Sequence, residues 1–225
     1  MKKFAIVVCL FFASCSTQPE PTPENSMALR YLALGDSYTI GESVEETERF
    51  PMQMAAMLAS EGLPVEVTII ARTGWTTDEL WQGIQASAIQ PPYDLVSLLI
   101  GVNNQYRGYD INEYREGFTF LLRKAIEYAG GDAKHVIVFS IPDWGVTPFA
   151  ADRDAARIAD EIDAFNHVNY EESQQAGTRY VDVTPVSRLA ATESSLVASD
   201  GLHPSGSMYV QWANLALPSA LEILR

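Results

Sequence analysis

The chain has 225 residues, of which 47% are hydrophobic and 20% are charged, and its formal net charge is −14. This balance is typical of one globular domain with a short appendage and excludes an intrinsically disordered chain. Nucleic acid is not expected as a partner, because binding to phosphates requires clustered Lys and Arg.

The N-terminal segment, residues 1–15, differs in composition from the rest of the chain. Two lysines precede a short apolar run at residues 4–13, and small residues lead to Cys15. This pattern predicts a secretory signal peptide, since the run is too short to span a bilayer as a helix. Residues 12–15 resemble the lipobox of bacterial lipoproteins, with Phe12 where Leu is usual. We therefore expect an exported protein, periplasmic or at the cell surface, anchored to a membrane by a lipid on Cys15. The alternative is an ordinary signal peptide with an incidental cysteine.

Residues 16–28 are rich in Pro, Glu, Thr and Ser and show no apolar periodicity, which is typical of an extended tether. Both cysteines, Cys9 and Cys15, lie in the signal segment. The domain expected at residues 29–225 therefore has no disulfide, and its hydrophobic core must supply its stability.

From residue 29 onward, short apolar runs alternate with amphipathic stretches. The runs are often β-branched and almost entirely apolar, as in strands that are buried on both faces. The predicted strands are at residues 31–34, 65–71, 95–100, 136–141 and 180–183. The predicted helices are at residues 52–60, 77–88, 112–129, 152–175 and 205–224. Their alternation predicts an α/β fold, a three-layer αβα sandwich of the flavodoxin-like kind around a mainly parallel five-stranded sheet.

Glycines and polar residues follow the predicted strands and precede the last helix. Ligands of parallel sheets bind beyond the carboxyl ends of the strands, so we expect these segments to converge on one site. The segments are Gly35-Asp36-Ser37-Tyr38, Arg72-Thr73-Gly74-Trp75, Gly101-Val102-Asn103-Asn104, Pro142-Asp143-Trp144, Thr184-Pro185 and Asp200-Gly201-Leu202-His203-Pro204.

Three of these residues are candidates for nucleophilic catalysis. A histidine that acts as a general base needs a carboxylate to fix its tautomer, and Asp200 lies three residues before His203. Ser37 follows Gly35, which permits a sharp exit from the strand, and a serine becomes nucleophilic when a base takes its proton. The alternative for each residue is a role in a turn or a helix cap.

Gly74 and Asn103 are candidate donors to the oxyanion that forms during acyl transfer, Gly74 through its backbone N–H and Asn103 through its amide. The alternative is turn chemistry, which also favours Gly and Asn. The chain has no HExxH motif, and GxGxxG spacing does not follow the first strand. We therefore expect neither a metal site nor a cofactor.

The sequence resembles the SGNH, or GDSL, hydrolase family over residues 31–224. Four blocks in family order carry the resemblance: Gly35-Asp36-Ser37-Tyr38, Gly74, Gly101-Val102-Asn103-Asn104 and Asp200-Gly201-Leu202-His203-Pro204. The resemblance implies the SGNH hydrolase fold, with Ser37 as nucleophile, His203 as base and Asp200 as the residue that orients His203. It also implies an oxyanion hole formed by Ser37, Gly74 and Asn103. Asn104 departs from the family, in which many members have Asp at a position that is not directly catalytic.

By this resemblance the protein is expected to hydrolyse a small-molecule ester through an acyl-enzyme. We expect short acyl groups, with acetylated carbohydrate as one substrate class, because residues 104–109 are too polar to form an apolar lid over a long chain. The alternatives are a lysophospholipase or thioesterase for longer acyl chains and a non-catalytic surface lipoprotein that binds a ligand. The candidate substrate-binding residues, for which core packing is the alternative, are Tyr38, Trp75, Asn104, Tyr106 and Trp144.

Overall fold

The computed structural model describes Met1 and residues 28–225. The signal peptide, Cys15 and nearly all of the tether predicted from the sequence fall at residues 2–27, outside the described residues. The five strands are β1 (Leu29–Gly35), β2 (Val65–Ala71), β3 (Leu95–Leu99), β4 (Val136–Phe139) and β5 (Arg179–Val181). They form one sheet in the order β2-β1-β3-β4-β5, and every pairing is parallel. The predicted fold class and all five predicted strands are confirmed.

Helices cover both faces of the sheet. Those described are α1 (Ser37–Ile40), α2 (Phe50–Ser60), α3 (Thr77–Gln85), α4 (Val102–Tyr106), α5 (Ile111–Tyr128), α6 (Ala155–Ala176), α7 (Thr184–Arg188) and α8 (Gly206–Leu224). Helices α2 and α8 pack against each other in one layer, while α5 packs against α3 and α6 in the other. The side chains of β1, β3 and β4 are buried between these layers, which explains why their sequences are almost continuously apolar.

The five long predicted helices are present, with ends that local residues explain. Helix α2 begins two residues earlier than predicted, with Pro51 in its first turn, where the missing N–H is not needed. Helix α6 begins three residues later, because the side chain of Asp154 caps it by accepting the N–H of Arg157. Helix α3 ends at Gln85 rather than at residue 88. The short helices α1, α4 and α7 were not predicted.

The chain order creates a switch point at the carboxyl edge of the sheet. From β1 the chain passes to β2 on one side, and it then returns to β3 on the other side of β1. The segments that follow β1 and β3 therefore diverge, which leaves a crevice between them, as is usual for ligand sites in such sheets. Within residues 28–225, the helices are all too short or too polar to cross a membrane.

Candidate active site

A cleft with a volume of about 180 Å³ opens at this switch point. The segments that follow β1, β2, β3 and β4 and the turn before α8 all contribute to it. Its lining residues are Ser37, Tyr38, Thr73, Gly74, Val102, Asn103, Tyr106, Trp144, Phe149, Leu202 and His203. The structure therefore brings together most of the site residues predicted from the sequence.

Ser37 is the first residue of α1 and is almost completely buried in the cleft wall. Gly35 permits this placement, because a Cβ there would collide with the Thr39 side chain and the Leu99 carbonyl. The side chain of Asp36 caps the helix by accepting the N–H of Tyr38 at 3.0 Å. The Ser37 hydroxyl makes no hydrogen bond to another residue of the described chain, so it is free to meet a substrate.

Asp36 lies next to the candidate nucleophile, and its other oxygen, Oδ2, is buried with no hydrogen-bond partner among the described residues. Burial raises the pKa of Asp36 to about 7, although the hydrogen bond from Tyr38 opposes the shift. Near neutral pH the carboxyl group of Asp36 is therefore protonated in a large fraction of the molecules. Asp36 consequently places less than a full negative charge beside Ser37.

His203 and Asp200 form a hydrogen-bonded pair in a tight turn before α8. Nδ1 of His203 lies 2.6 Å from Oδ2 of Asp200, and Oδ1 of Asp200 accepts the backbone N–H groups of Leu202 and His203. Gly201, at φ +75°, allows the turn. The ring of Tyr38 packs edge-on against the imidazole, with 5.6 Å between the ring centroids. His203 is thus held by Nδ1, which leaves Nε2 available for proton transfer.

Asp200 is ionised throughout the physiological pH range. Partial burial raises the pKa of the carboxyl, but the hydrogen bonds from His203, Leu202 and Ser43 outweigh burial and place the pKa well below its ordinary value. The ionised carboxylate of Asp200 faces Nδ1 of His203 and can fix the tautomer of the ring. Sequence reasoning missed Ser43, which lies 157 positions from Asp200 in a loop without a recognisable motif.

The candidate oxyanion donors Ser37, Gly74 and Asn103 line the same cleft. Gly74 has φ +86°, a conformation that favours glycine, and its carbonyl accepts from Arg107 at 2.6 Å. In the described chain, the N–H groups of Ser37 and Gly74 donate to no other residue. The amide of Asn103 donates one hydrogen to the carbonyl of Trp75 at 3.0 Å. Since an amide nitrogen carries two hydrogens, the second is available for a substrate oxygen.

Two of the predicted substrate-binding residues do not line the cleft, and these predictions are corrected. Asn104 is completely buried, where its Oδ1 accepts the N–H of Thr77 and its Nδ2 donates to the Thr77 hydroxyl. These two hydrogen bonds therefore connect α4 to the start of α3. The indole of Trp75 lies against Gly83, where a Cβ would collide with the ring, so Trp75 packs on α3.

The other three predicted substrate-binding residues, Tyr38, Tyr106 and Trp144, do line the cleft. Trp144 is buried, and its Nε1 donates to the side-chain oxygen of Gln105 at 2.9 Å. Phe149, which sequence reasoning missed, forms the cleft edge with Tyr106, and both rings are about half exposed. Phe149 follows β4 by ten positions in a loop without periodicity, so the sequence offered no signal for it. Within residues 28–225, no group of three or more His, Asp or Glu residues is arranged to hold a metal ion.

Residues 33–210 match the GDSL-like lipase/acylhydrolase family. The chain belongs to this family, which confirms the resemblance inferred from its four sequence blocks. The protein is accordingly a carboxylic ester hydrolase.

Several solved structures share the fold. A lipase/acylhydrolase from Enterococcus faecalis superposes with a TM-score of 0.69 at 20% identity, covering 88% of this chain and 97% of that one. The esterase EstA from Pseudoalteromonas gives 0.65 at 16% identity, covering 86% and 97%. The acetylxylan esterase Axe2 from Geobacillus stearothermophilus gives 0.63 at 18% identity, covering 87% and 94%. No curated protein matches the chain.

Proposed function

We propose that the protein is a serine esterase for short acyl groups, with Ser37, His203 and Asp200 as its catalytic triad. The observation that carries the proposal is the 2.6 Å hydrogen bond between Asp200 and His203 Nδ1, with His203 and Ser37 lining one cleft. A carboxylate that holds an imidazole, with a free serine hydroxyl in the same cleft, is the set of groups that catalyses acyl transfer through a covalent intermediate.

In this mechanism the hydroxyl of Ser37 attacks the ester carbonyl and transfers its proton to Nε2 of His203. The carbonyl oxygen becomes negative, and it is stabilised by the N–H groups of Ser37 and Gly74 and by the Asn103 amide. The tetrahedral intermediate collapses as His203 returns the proton to the departing alkoxide, which leaves an acyl group on Ser37. Water, deprotonated by His203, then attacks the acyl-enzyme, and the acid is released as His203 returns the proton to the Ser37 oxygen.

The size of the cleft supports a short acyl group. Its volume of about 180 Å³ is small beside the ~300–1,000 Å³ of pockets that enclose drug-sized ligands. A long acyl chain would have to leave this cleft and lie on more polar surface, where its methylenes would gain little. The similarity to an acetylxylan esterase is consistent with an acetyl group and with acetylated carbohydrate as the substrate class.

An ester panel tests this proposal. We expect kcat/KM for p-nitrophenyl esters to be highest for two to four carbons and to fall by decanoate, with Ser37→Ala as the background at each length. Each buried methylene contributes about 0.8 kcal/mol, or roughly fourfold in kcat/KM. A steady rise past about eight carbons would show that methylenes are being buried, and the long-chain alternative would replace the short-chain one.

We also propose that a lipid on Cys15 anchors the mature protein to a membrane, with residues 16–28 as the tether. The support is the apolar run that ends in a lipobox-like tetrad. We expect wild type in the membrane fraction of producing cells and Cys15→Ala in the soluble fraction. Cys9→Ala is the matched control and should behave like wild type. Wild type found entirely in the soluble fraction would contradict the anchor.

A further inference from the structure

A second and larger cavity adjoins the cleft. It is a groove of about 600 Å³ between residues 105–111 and the first half of α6. Tyr106 and Trp144 line both cavities, so the groove continues outward from the cleft beside Ser37. The catalytic steps proposed above use none of the residues that line the groove, so its chemistry must be explained separately.

The charged side chains of the groove balance one another. Arg157 Nε bonds Glu161 Oε1 at 2.7 Å, and Glu161 Oε2 accepts from Gln105 at 2.6 Å. Arg153 and Asp154 add one charge of each sign. A lining with two positive and two negative groups favours neither an anion nor a cation, and its charged ends can form hydrogen bonds with polar groups. The groove is therefore suited to a neutral polar ligand.

Aromatic rings supply much of the remaining surface, together with the aliphatic side chains of Ile111 and Ile158. Tyr106 is 47% exposed, and its ring lies 5.4 Å from that of Trp144, centroid to centroid. The hydrogen bond from Trp144 Nε1 to Gln105 ties these rings to the polar network of Glu161. Apolar ring surface beside fixed hydrogen-bonding groups matches a ligand that carries C–H faces and hydroxyl edges together.

We propose that this groove binds the alcohol portion of the substrate, and that this portion is a neutral oligosaccharide chain. The acyl group of such a substrate would occupy the small cleft at Ser37. The sugar that carries the ester would lie at Tyr106 and Trp144, and further sugars would extend along α6. The inference rests on the proposed function, since it places the ester carbonyl at Ser37.

The test compares O-acetylated tetrasaccharides with the corresponding O-acetylated monosaccharides, using β-linked xylose, glucose and mannose. For at least one sugar, we expect kcat/KM of wild type to be about tenfold higher for the tetrasaccharide, the size of one good aromatic contact. Ala164, exposed on α6, lines the groove, and Ala164→Trp should fill it and abolish this preference. Ala156→Trp is the matched control, because Ala156 is exposed on the same helix but does not line the groove.

The outcomes separate this inference from the proposed function. Equal kcat/KM for monosaccharide and tetrasaccharide with all three sugars overturns the groove proposal, even when p-nitrophenyl acetate is hydrolysed. A length preference that Ala164→Trp retains also overturns it. Failure to hydrolyse p-nitrophenyl acetate or any acetylated sugar would instead contradict the esterase proposal itself.

A different observation carries a second inference. Among the non-glycine residues that the structure describes, Ser43 alone has a positive φ, at +66°. A serine in this region is strained, and such strain persists where the surrounding structure requires it. The hydroxyl of Ser43 donates to Oδ2 of Asp200 at 2.8 Å, and this oxygen also bonds His203.

We infer that Ser43 is a positioning residue that fixes the carboxylate of Asp200 for His203. Backbone N–H groups hold only the other oxygen, Oδ1. Ser43 is therefore the side chain that restrains Oδ2 in addition to His203. The strained backbone of Ser43 is the consequence of carrying its hydroxyl to this position from the loop after α1.

Two substitutions distinguish the effect of the Ser43 hydroxyl from the effect of its strained backbone. Ser43→Gly removes the hydroxyl and relieves the strain, whereas Ser43→Ala removes the hydroxyl and keeps the strain. We expect both to lower kcat for p-nitrophenyl acetate by about three- to tenfold with KM unchanged, as loss of one hydrogen bond would. The low-field proton resonance of the His203–Asp200 bond should shift in both variants. A Ser43→Gly variant with the kcat and the resonance of wild type would overturn the inference.

Discussion

Ser37→Ala is expected to lower kcat for p-nitrophenyl acetate by about four to six orders of magnitude, because the nucleophile and its base act as one unit. The variant should fold normally. The Ser37 hydroxyl makes no hydrogen bond to the described chain, and Asp36 caps α1 with its own side chain. Steady-state kinetics measures the loss of activity, and the melting temperature should stay near that of wild type.

Controls make this result specific to the triad. Ser60→Ala removes an exposed hydroxyl that bonds only the Ala56 carbonyl in the described chain, and it should retain full activity. The double variant of Ser37 and His203, both changed to Ala, should be no slower than Ser37→Ala alone, because effects within one catalytic unit are not additive. Wild-type turnover in folded Ser37→Ala would exclude Ser37 as the nucleophile and contradict the proposed triad.

Most of the sheet could be predicted from the sequence because burial on both faces leaves a strong signal. Residues 95–99 and 136–139 are fully buried and almost entirely apolar, as expected for central strands covered by two layers of helices. Parallel pairing then places the segments that follow the strands at one edge of the sheet. The triad could be predicted because two of its members lie three residues apart and the third follows the first strand directly.

The local geometry of the site could not be predicted in the same way. Asn103 and Asn104 are neighbours with identical side chains, yet Asn103 lines the cleft and Asn104 is buried against Thr77. They lie in α4, where successive side chains point about 100° apart. Five residues show no readable periodicity, so the sequence did not predict this helix or which of the two amides faces the cleft.

Contacts between distant segments could not be predicted from the sequence either. The groove combines residues 105–111 with residues of α6 that are roughly 50 positions away along the chain. The charged side chains of the groove all lie at residues 153–161, and the Gln105 amide meets them at Glu161. The sequence could show that both segments were polar, but the contact between Gln105 and Glu161 required the packing of α4 on α6.

Asn103→Ala is expected to lower kcat by roughly 10²- to 10³-fold, the usual effect of losing one oxyanion donor. KM should change little, because the amide hydrogen that the Trp75 carbonyl leaves free acts chiefly on charge that develops in the transition state. Steady-state kinetics on p-nitrophenyl acetate measures both constants. The melting temperature should fall only slightly, since Asn103 is partly exposed and makes one hydrogen bond to the backbone.

Asn104→Ala is the matched control, because it removes the same side chain one position further along α4. Asn104 is completely buried and bonds both the N–H and the hydroxyl of Thr77, so its loss leaves a buried donor unpaired. We expect a destabilisation of about 1–3 kcal/mol, measured by urea unfolding, which exceeds that of Asn103→Ala. The two variants should thus separate catalysis from stability at adjacent positions. If Asn103→Ala changed KM alone, Asn103 would bind the ground-state ester, and the oxyanion would depend on the N–H groups of Ser37 and Gly74.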